Sequence, residues 1–215
     1  PAQLAGNFVT AAAGEDHSCA LQNGGVLTCW GSNADGQVGV PGAVQYNVAQ
    51  SVSLVAGADA DDLAAGDNHT CAISGTELYC WGRGSSGALA NGTFSNETTP
   101  YQVPRPANVV GWRSVVAGSM HTCALASIDD STTRLYCWGA GTQGQLGIGV
   151  AIAPTSIPQP VNHPTGAEWG AIAAGGNTTC ATDKSSSSWC WGRNVEGQAG
   201  VGGAWRTSFV PVVVP

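Results

Sequence analysis

The sequence predicts an all-β fold, a β-propeller with four blades in this chain forming part of a ring. Three observations carry that prediction: a motif that recurs four times, two cysteines at the same two places in every copy, and a composition made for short turns. Of 215 residues, 31 are glycine and 8 tryptophan, whereas charged residues make up 10%, against about a quarter in ordinary domains. Few solvated helical faces and many tight turns produce such a profile. No segment holds a helical period over a useful window.

The four copies span Ala11 to Val40, Leu63 to Gly92, Val115 to Gly149 and Ile172 to Gly202. Their first cysteines stand at 19, 71, 123 and 180, steps of 52, 52 and 57, and their Trp-Gly pairs begin at Trp30, Trp81, Trp138 and Trp191. A period of this length is the signature of a blade or solenoid. The whole chain, 1–215, therefore reads as a single repeat domain with blades at approximately 1–53, 54–106, 107–162 and 163–215.

Each copy opens on small residues, Ala-Ala-Gly or Val-Ala-Gly, fit for a strand packed near a crowded axis. In the second copy Cys71-Ala72-Ile73 meets a turn at Gly75-Thr76 and returns as Leu78-Tyr79-Cys80-Trp81, a type II′ hairpin by its turn residues. A Gly-rich segment such as Gly144-Gln145-Leu146-Gly147 then turns the chain. A variable connection leads to a Pro-flanked apolar strand, Pro100-Tyr101-Gln102-Val103 or Pro211-Val212-Val213-Val214. Four short strands per copy make one blade.

Counting outward from the turn at 75–76 makes 71/80 a non-hydrogen-bonded pair, with Cα atoms about 4.5 Å apart, inside the disulfide window of about 4.4–6.8 Å. The same spacing pairs Cys19 with Cys29, Cys71 with Cys80, Cys123 with Cys137 and Cys180 with Cys190, leaving no cysteine over. Zinc sites use much tighter Cys spacing, so no metal is expected. Disulfides point to an oxidising compartment, extracellular or at the cell surface. Glycosylation sequons at Asn68, Asn91, Asn96 and Asn177 point the same way; Asn91 and Asn96, in a variable loop, are the better acceptors.

A formal net charge of −7 with seven Lys plus Arg argues against nucleic acid, which is bound largely through basic side chains. No apolar run reaches the roughly 18 residues of a membrane span, so direct membrane insertion is not expected. Because the chain opens on Pro1, either a removed leader or a longer polypeptide is expected.

The pattern Ala-Gly-x-x-His-Ser/Thr-x-Ala-Leu, a hairpin, then Trp-Gly and Gly-Gln-Leu-Gly resembles the regulator of chromosome condensation repeat. Gly118 to Leu125, followed by Cys137-Trp138-Gly139 and Gly144 to Gly147, carries the likeness best. The resemblance implies a propeller that usually has seven blades, so four repeats imply a partial ring completed by further blades of the same polypeptide or by another chain. The cysteine pair in each repeat is similar to extracellular members such as the ectodomains of crinkly-type receptor kinases. The nuclear nucleotide-exchange activity of the founding member does not carry over to an acidic, cystine-bearing chain.

His17, His69 and His121 share one repeat position, filled by Thr178 in the fourth copy; a structural hydrogen bond inside each blade is expected. His163, alone in a Pro-rich connection, carries no signal. Asp59, Asp61 and Asp62 lack the Gly and bidentate Glu of a calcium loop and read as a solvated turn, and Asp129 and Asp130 read as a soluble hairpin tip. No Ser-His-Asp set is present, so no catalytic, cofactor-binding or metal-ligating residue is expected. Tyr46, Phe94 and Trp205, in the variable connections, are the candidate contacts for a partner. The function expected is a non-enzymatic extracellular structural or recognition module, a rigid scaffold for protein–protein contacts in a cell-surface assembly or receptor ectodomain. The alternatives are a secreted protein-binding inhibitor and a carbohydrate-binding module with a glycan partner.

Overall fold

The computed structural model describes residues 6–54, 60–200 and the backbone of 205–211. Sixteen strands form four separate four-stranded antiparallel sheets, each in plain sequential order. The first holds β1 (Phe8–Ala13), β2 (His17–Gln22), β3 (Leu27–Ser32) and β4 (Gln45–Val52). The second holds β5 (Asp62–Ala65), β6 (His69–Ser74), β7 (Glu77–Gly82) and β8 (Glu97–Gln102). The third holds β9 (Gly111–Ala117), β10 (His121–Ser127), β11 (Thr133–Gly139) and β12 (Thr155–Val161). The fourth holds β13 (Trp169–Gly175), β14 (Thr178–Asp183), β15 (Ser188–Arg193) and β16 (Trp205–Pro211). The inner strands β1, β5, β9 and β13 pack each against the next, and among the described residues β1 and β13 share no comparable contact, so the described blades form an open arc.

The hairpin register is the expected one. Ser74 pairs with Glu77 across the turn, and Ile73, Ala72 and Cys71 oppose Leu78, Tyr79 and Cys80. Gly75 has φ +58° while Thr76 is not in the left-handed region, as a II′ turn requires. All four cysteine pairs are register partners joined by disulfides, with Cα–Cα distances of 4.0–4.1 Å. One expectation shifts. The fourth strand of a blade contains its prolines or stops at them, instead of beginning there: Pro100 lies within β8, Pro158 and Pro160 within β12, and β16 ends at Pro211. That strand is the outer edge of its sheet, where a missing N–H leaves no ladder bond unmade.

The core lies between blades, in three layers. Cys71, Ile73, Leu78 and Cys80 from one face of the second sheet pack with Trp112, Val115, Ala124, Tyr136 and Trp138 of the third. Corresponding layers join the first sheet to the second and the third to the fourth. Each inner sheet is therefore buried on both faces: Cys71, Ile73, Leu78 and Cys80 face the following blade, and Ala72, Tyr79 and Trp81 face the preceding one. This is why β6 is buried at every position and β7 at every position after Glu77. Antiparallel strands with one wet face would alternate instead. Among the largest side chains with no exposure are Trp81, Trp138 and Trp191.

Candidate functional site

Two surfaces are built from repeated positions: the joint between blades and the face where the longest loops emerge. At the joint, the His17 ring Nε2 lies 2.8 Å from Thr70 Oγ1 in the next blade, and the Thr70 hydroxyl donates to the Gln37 carbonyl at 2.8 Å. The Trp81 indole N–H donates to the same carbonyl at 3.0 Å. The set repeats as His69, Thr122, Trp138 and the Ala88 carbonyl, and again as His121, Thr179, Trp191 and the Gln145 carbonyl. Because the threonine spends its only proton on the carbonyl, the histidine Nε2 must donate, which fixes the neutral Nε2–H tautomer. The expected histidine hydrogen bond is thus real but joins two blades, not two strands of one blade. The threonine and the indole take only a backbone carbonyl from the Gly-Gln-Leu-Gly loop, so Ala88 meets them as Gln37 and Gln145 do, while the two glutamine side chains add a bond to Asn68 and Asn177 of the next blade at 3.3 and 3.4 Å.

Burial holds these rings far below the ordinary histidine value of 6.5. His17 and His121 are lowered to about 4 and His69 to about 3, the last also repelled by the rings on either side. They are neutral throughout the physiological range. The Ala-Gly ahead of each histidine follows from space. A Cβ on Gly66 would stand 2.2 Å from the His69 ring and 2.5 Å from the Gly118 carbonyl oxygen, and Gly14 and Gly118 are as crowded. The glycine after each tryptophan has the other reason: Gly82 sits at φ +101° with the Asn68 carbonyl oxygen 2.5 Å from where a Cβ would be.

The turns after β1, β5, β9 and β13 meet at the axis, where Glu15 N–H bonds the Asp67 carbonyl, Asp67 the Ser119 carbonyl and Ser119 the Gly176 carbonyl. They line a mouth of about 360 Å³ with glycine and alanine backbone and the side chains of Glu15, Asp67 and Ser119. The loops after β3, β7, β11 and β15 emerge at the same end, because strands alternate in direction. This loop face carries the exposed apolar side chains Val44, Phe94, Met120, Val150 and Val195. Val26 and Val110 lie at the opposite, hairpin end. Among the described residues, no group of three or more His, Cys, Asp or Glu could hold a metal.

The candidate contacts separate. Phe94 is exposed in the β7–β8 loop. Tyr46 is the second residue of β4, and its hydroxyl donates to the Pro41 carbonyl at 3.0 Å, tying down its own loop. Trp205 starts β16, and its side chain lies outside the described residues. The threonines of the sequons at Asn68 and Asn177 are the joint residues Thr70 and Thr179, both fully buried. Asn96 is exposed, its amide donating to Asp35 Oδ1 at 2.9 Å, and Asn91 donates to Glu97 at 2.8 Å. Asp61 accepts from Gly75 N–H at 2.6 Å and Asp62 from Val115 N–H at 2.9 Å, so both brace backbone; Asp59 lies outside the described residues. Asp129 accepts from Ser131 and Thr132 N–H within its hairpin tip.

His163 was missed by sequence reasoning. Its ring packs on Trp169 at a tilt of 59°, centroids 4.4 Å apart, meets Trp189 edge-on, and sets Nε2 3.5 Å from Asp183 Oδ2, with the His163 and Asp183 side chains almost fully buried. No signal in the sequence marks it, because the Trp169–Asp183 register across β13 and β14 is seen only in the structure.

The Regulator of chromosome condensation (RCC1) repeat matches residues 77–125 and 134–182, and a second profile of the same description matches 8–37, 60–88 and 171–198. The human probable E3 ubiquitin-protein ligase HERC6 is 31% identical over 199 residues, 91% of this chain and 19% of that protein. The yeast RCC1 protein Prp20, in its crystal structure bound to Kap60, superposes with a TM-score of 0.81 at 21% identity, over all of this chain and 50% of that one. The ectodomain of the Physcomitrella patens receptor kinase CR4 superposes with a TM-score of 0.55 at 23% identity, over 91% of this chain and 44% of that one. The chain thus spans half or less of these relatives. With four blades, four copies of the motif and matches along most of its length, the chain belongs to the regulator of chromosome condensation repeat family.

Proposed function

We propose that this chain is a non-enzymatic, extracellular protein-recognition module that binds its partner through the loop face. The observation that carries the reading is the gathering of Val44, Phe94, Met120, Val150 and Val195 on one end of the blades. Apolar side chains placed among polar loops on a rigid scaffold are how recognition surfaces are built. An RCC1-type propeller is a fold suited to protein contacts, and Prp20 bound to Kap60 is one such complex. The four disulfides with no free cysteine among the described residues, and the ectodomain fold of CR4, support an oxidising location. There, Asn96 and Asn91 are the acceptors a glycan would use, since Thr70 and Thr179 of the other two sequons are locked in the joints.

A photo-crosslinking amino acid at position 94, with position 26 on the opposite end as reference, tests the reading on the surface fraction of the source cells. Protein adducts from position 94 and not from 26 are expected. Adducts equally from both ends, or from neither, overturn it.

A further inference from the structure

The chain has two Asn-Gly steps, Asn23-Gly24 and Asn91-Gly92, and one Asp-Gly step, Asp35-Gly36. At such steps a side-chain carbonyl carbon can be attacked by the next backbone nitrogen, because that nitrogen belongs to a residue with no side chain to shield it and a wide choice of backbone angles. Closure needs two freedoms: a side chain that can swing, and a following N–H that is not engaged elsewhere.

Two of the three steps lack both. The Asn91 side-chain oxygen accepts from Thr93 N–H at 3.1 Å and from the Thr93 hydroxyl at 3.0 Å, while its Nδ2 donates to Glu97 Oε1 at 2.8 Å and to the Ser95 carbonyl at 3.2 Å. Gly92 N–H is engaged by the Ser156 carbonyl of the next blade at 3.1 Å. Asp35 accepts from the Asn96 amide at 2.9 Å, and Gly36 N–H bonds the Asn33 carbonyl at 3.1 Å. Asn23 differs. It is exposed in the turn between β2 and β3, and among the described residues no hydrogen bond holds its side chain or the Gly24 N–H. A Cβ on Gly24 would meet nothing within 4 Å, so the peptide plane is free to turn.

This openness is shared by the other hairpin tips. Gly75 and Thr76, Asp129 to Ser131, and Lys184 to Ser187 are exposed too, although each of their blades has another ahead of it in the chain. The tip also leans toward the blade that follows: the Gly25 carbonyl accepts from Ala60 N–H at 3.0 Å, as the Thr76 carbonyl accepts from Trp112 N–H at 3.0 Å.

We propose that Asn23 is a site of spontaneous deamidation and isomerisation in the folded protein, that Asn91 is not, and that the product loosens the first joint. The Gly24 nitrogen gives its proton to hydroxide and bonds to Asn23 Cγ. The Cγ–Nδ2 bond breaks, and the leaving nitrogen takes a proton from water and departs as ammonia. The succinimide so formed takes up one water at either carbonyl and opens to aspartate or isoaspartate. Isoaspartate routes the backbone through the former side chain, adding one carbon inside the turn that Gly25 N–H closes on the Gln22 carbonyl at 3.0 Å. The Gly25 carbonyl then moves off Ala60. Either product also sets a new carboxylate in the recess of about 310 Å³ that Asn23 lines together with Asp61. The site lies at the hairpin end and stands apart from the loop-face reading.

Ageing the oxidised 215-residue chain at mildly alkaline pH, native and in urea, tests it. Arg83 lies between the two Asn-Gly steps, so trypsin after reduction puts them on separate peptides, and electron-transfer fragmentation tells aspartate from isoaspartate. In the native protein Asn23 is expected to convert at least about tenfold faster than Asn91, which must first open several hydrogen bonds; in urea the two convert at similar rates. Asn23→Gln, whose longer side chain closes a ring far less readily, abolishes the native conversion. Hydrogen exchange at Ala60 N–H speeds up in the isoaspartate form and not in Asn23→Asp, which adds the charge without the extra backbone carbon. Native Asn91 converting as fast as Asn23, or native Asn23 staying an amide for as long as urea takes to convert it, overturns the assignment. An isoaspartate form that keeps Ala60 protected overturns the loosening of the joint.

Discussion

Lowering the pH from 7 to 5 is expected to strip this chain of much of its stability, and the joint histidines set the amount. His17, His69 and His121 go from 6.5 in the unfolded chain to about 4, 3 and 4 when buried. A folded value below the unfolded one means the unfolded chain binds more protons, so stability is fully present above 6.5 and is lost as pH falls toward 4. At pH 5 each ring is almost wholly charged when unfolded and almost wholly neutral when folded. Each therefore removes about 2 kcal/mol relative to pH 7, and the three together about 6 kcal/mol. That is comparable to the whole stability of an ordinary domain, about 5–15 kcal/mol. Asp129, held at about 2 by hydrogen bonds from Ser131 and Thr132, acts only below its unfolded value of 3.8, outside this window. Urea unfolding followed by tryptophan fluorescence at pH 7, 6 and 5 measures the loss, and His121→Gln should remove about a third of it whatever it does to stability at pH 7. A stability that stays level between pH 7 and 5, or a slope unchanged by His121→Gln, would refute the assignment of neutral, Nε2-protonated rings at the joints.

Thr122→Val strands the His69 N–H in the core and takes one of two donors from the Ala88 carbonyl; it is expected to cost about 1–3 kcal/mol by urea titration. Thr178→Val, whose hydroxyl serves only its own half-buried blade, should cost less. Gly118→Ala would force a Cβ to within 2.2 Å of the His121 ring and lower the melting temperature markedly, whereas Gly175→Ala, with nothing within 4 Å, stays within about 0.5 kcal/mol of the parent. Reductant without denaturant should open Cys180–Cys190 first, since Cys180 is half-exposed while Cys19, Cys29, Cys71, Cys80, Cys123 and Cys137 have no exposure; mass spectrometry after timed alkylation reads the order. Replacing both Cys123 and Cys137 by alanine is expected to cost about 3 kcal/mol through the unfolded chain, apart from any loss of packing.

What the sequence determined by itself is what depends on neighbours along the chain. A hairpin with Gly-Thr at its turn sets its own register, and the register brings each cysteine opposite its partner 9 to 14 residues away. Four copies of that hairpin, with small residues ahead and Trp-Gly behind, sufficed to foresee four blades and four disulfides. The exposed apolar character of Phe94 was also within reach, because variable loops at matching blade positions must emerge on one end. The contacts between blades were out of reach. The histidine repeat was visible, but its threonine partners lie 53, 53 and 58 residues further on, and nothing local says that the cysteine face of each hairpin turns toward the following blade. Gly-Gln-Leu-Gly read as a turn, while its work as a socket depends on a carbonyl whose ligands come from another sheet. His163 was unreadable for the same reason: its burial is made by Trp169, Trp189 and Asp183 from three strands of the fourth blade. Local turn and pairing energies are written residue by residue, whereas the facing of one sheet toward the next is settled only when the sheets stack and bury both faces.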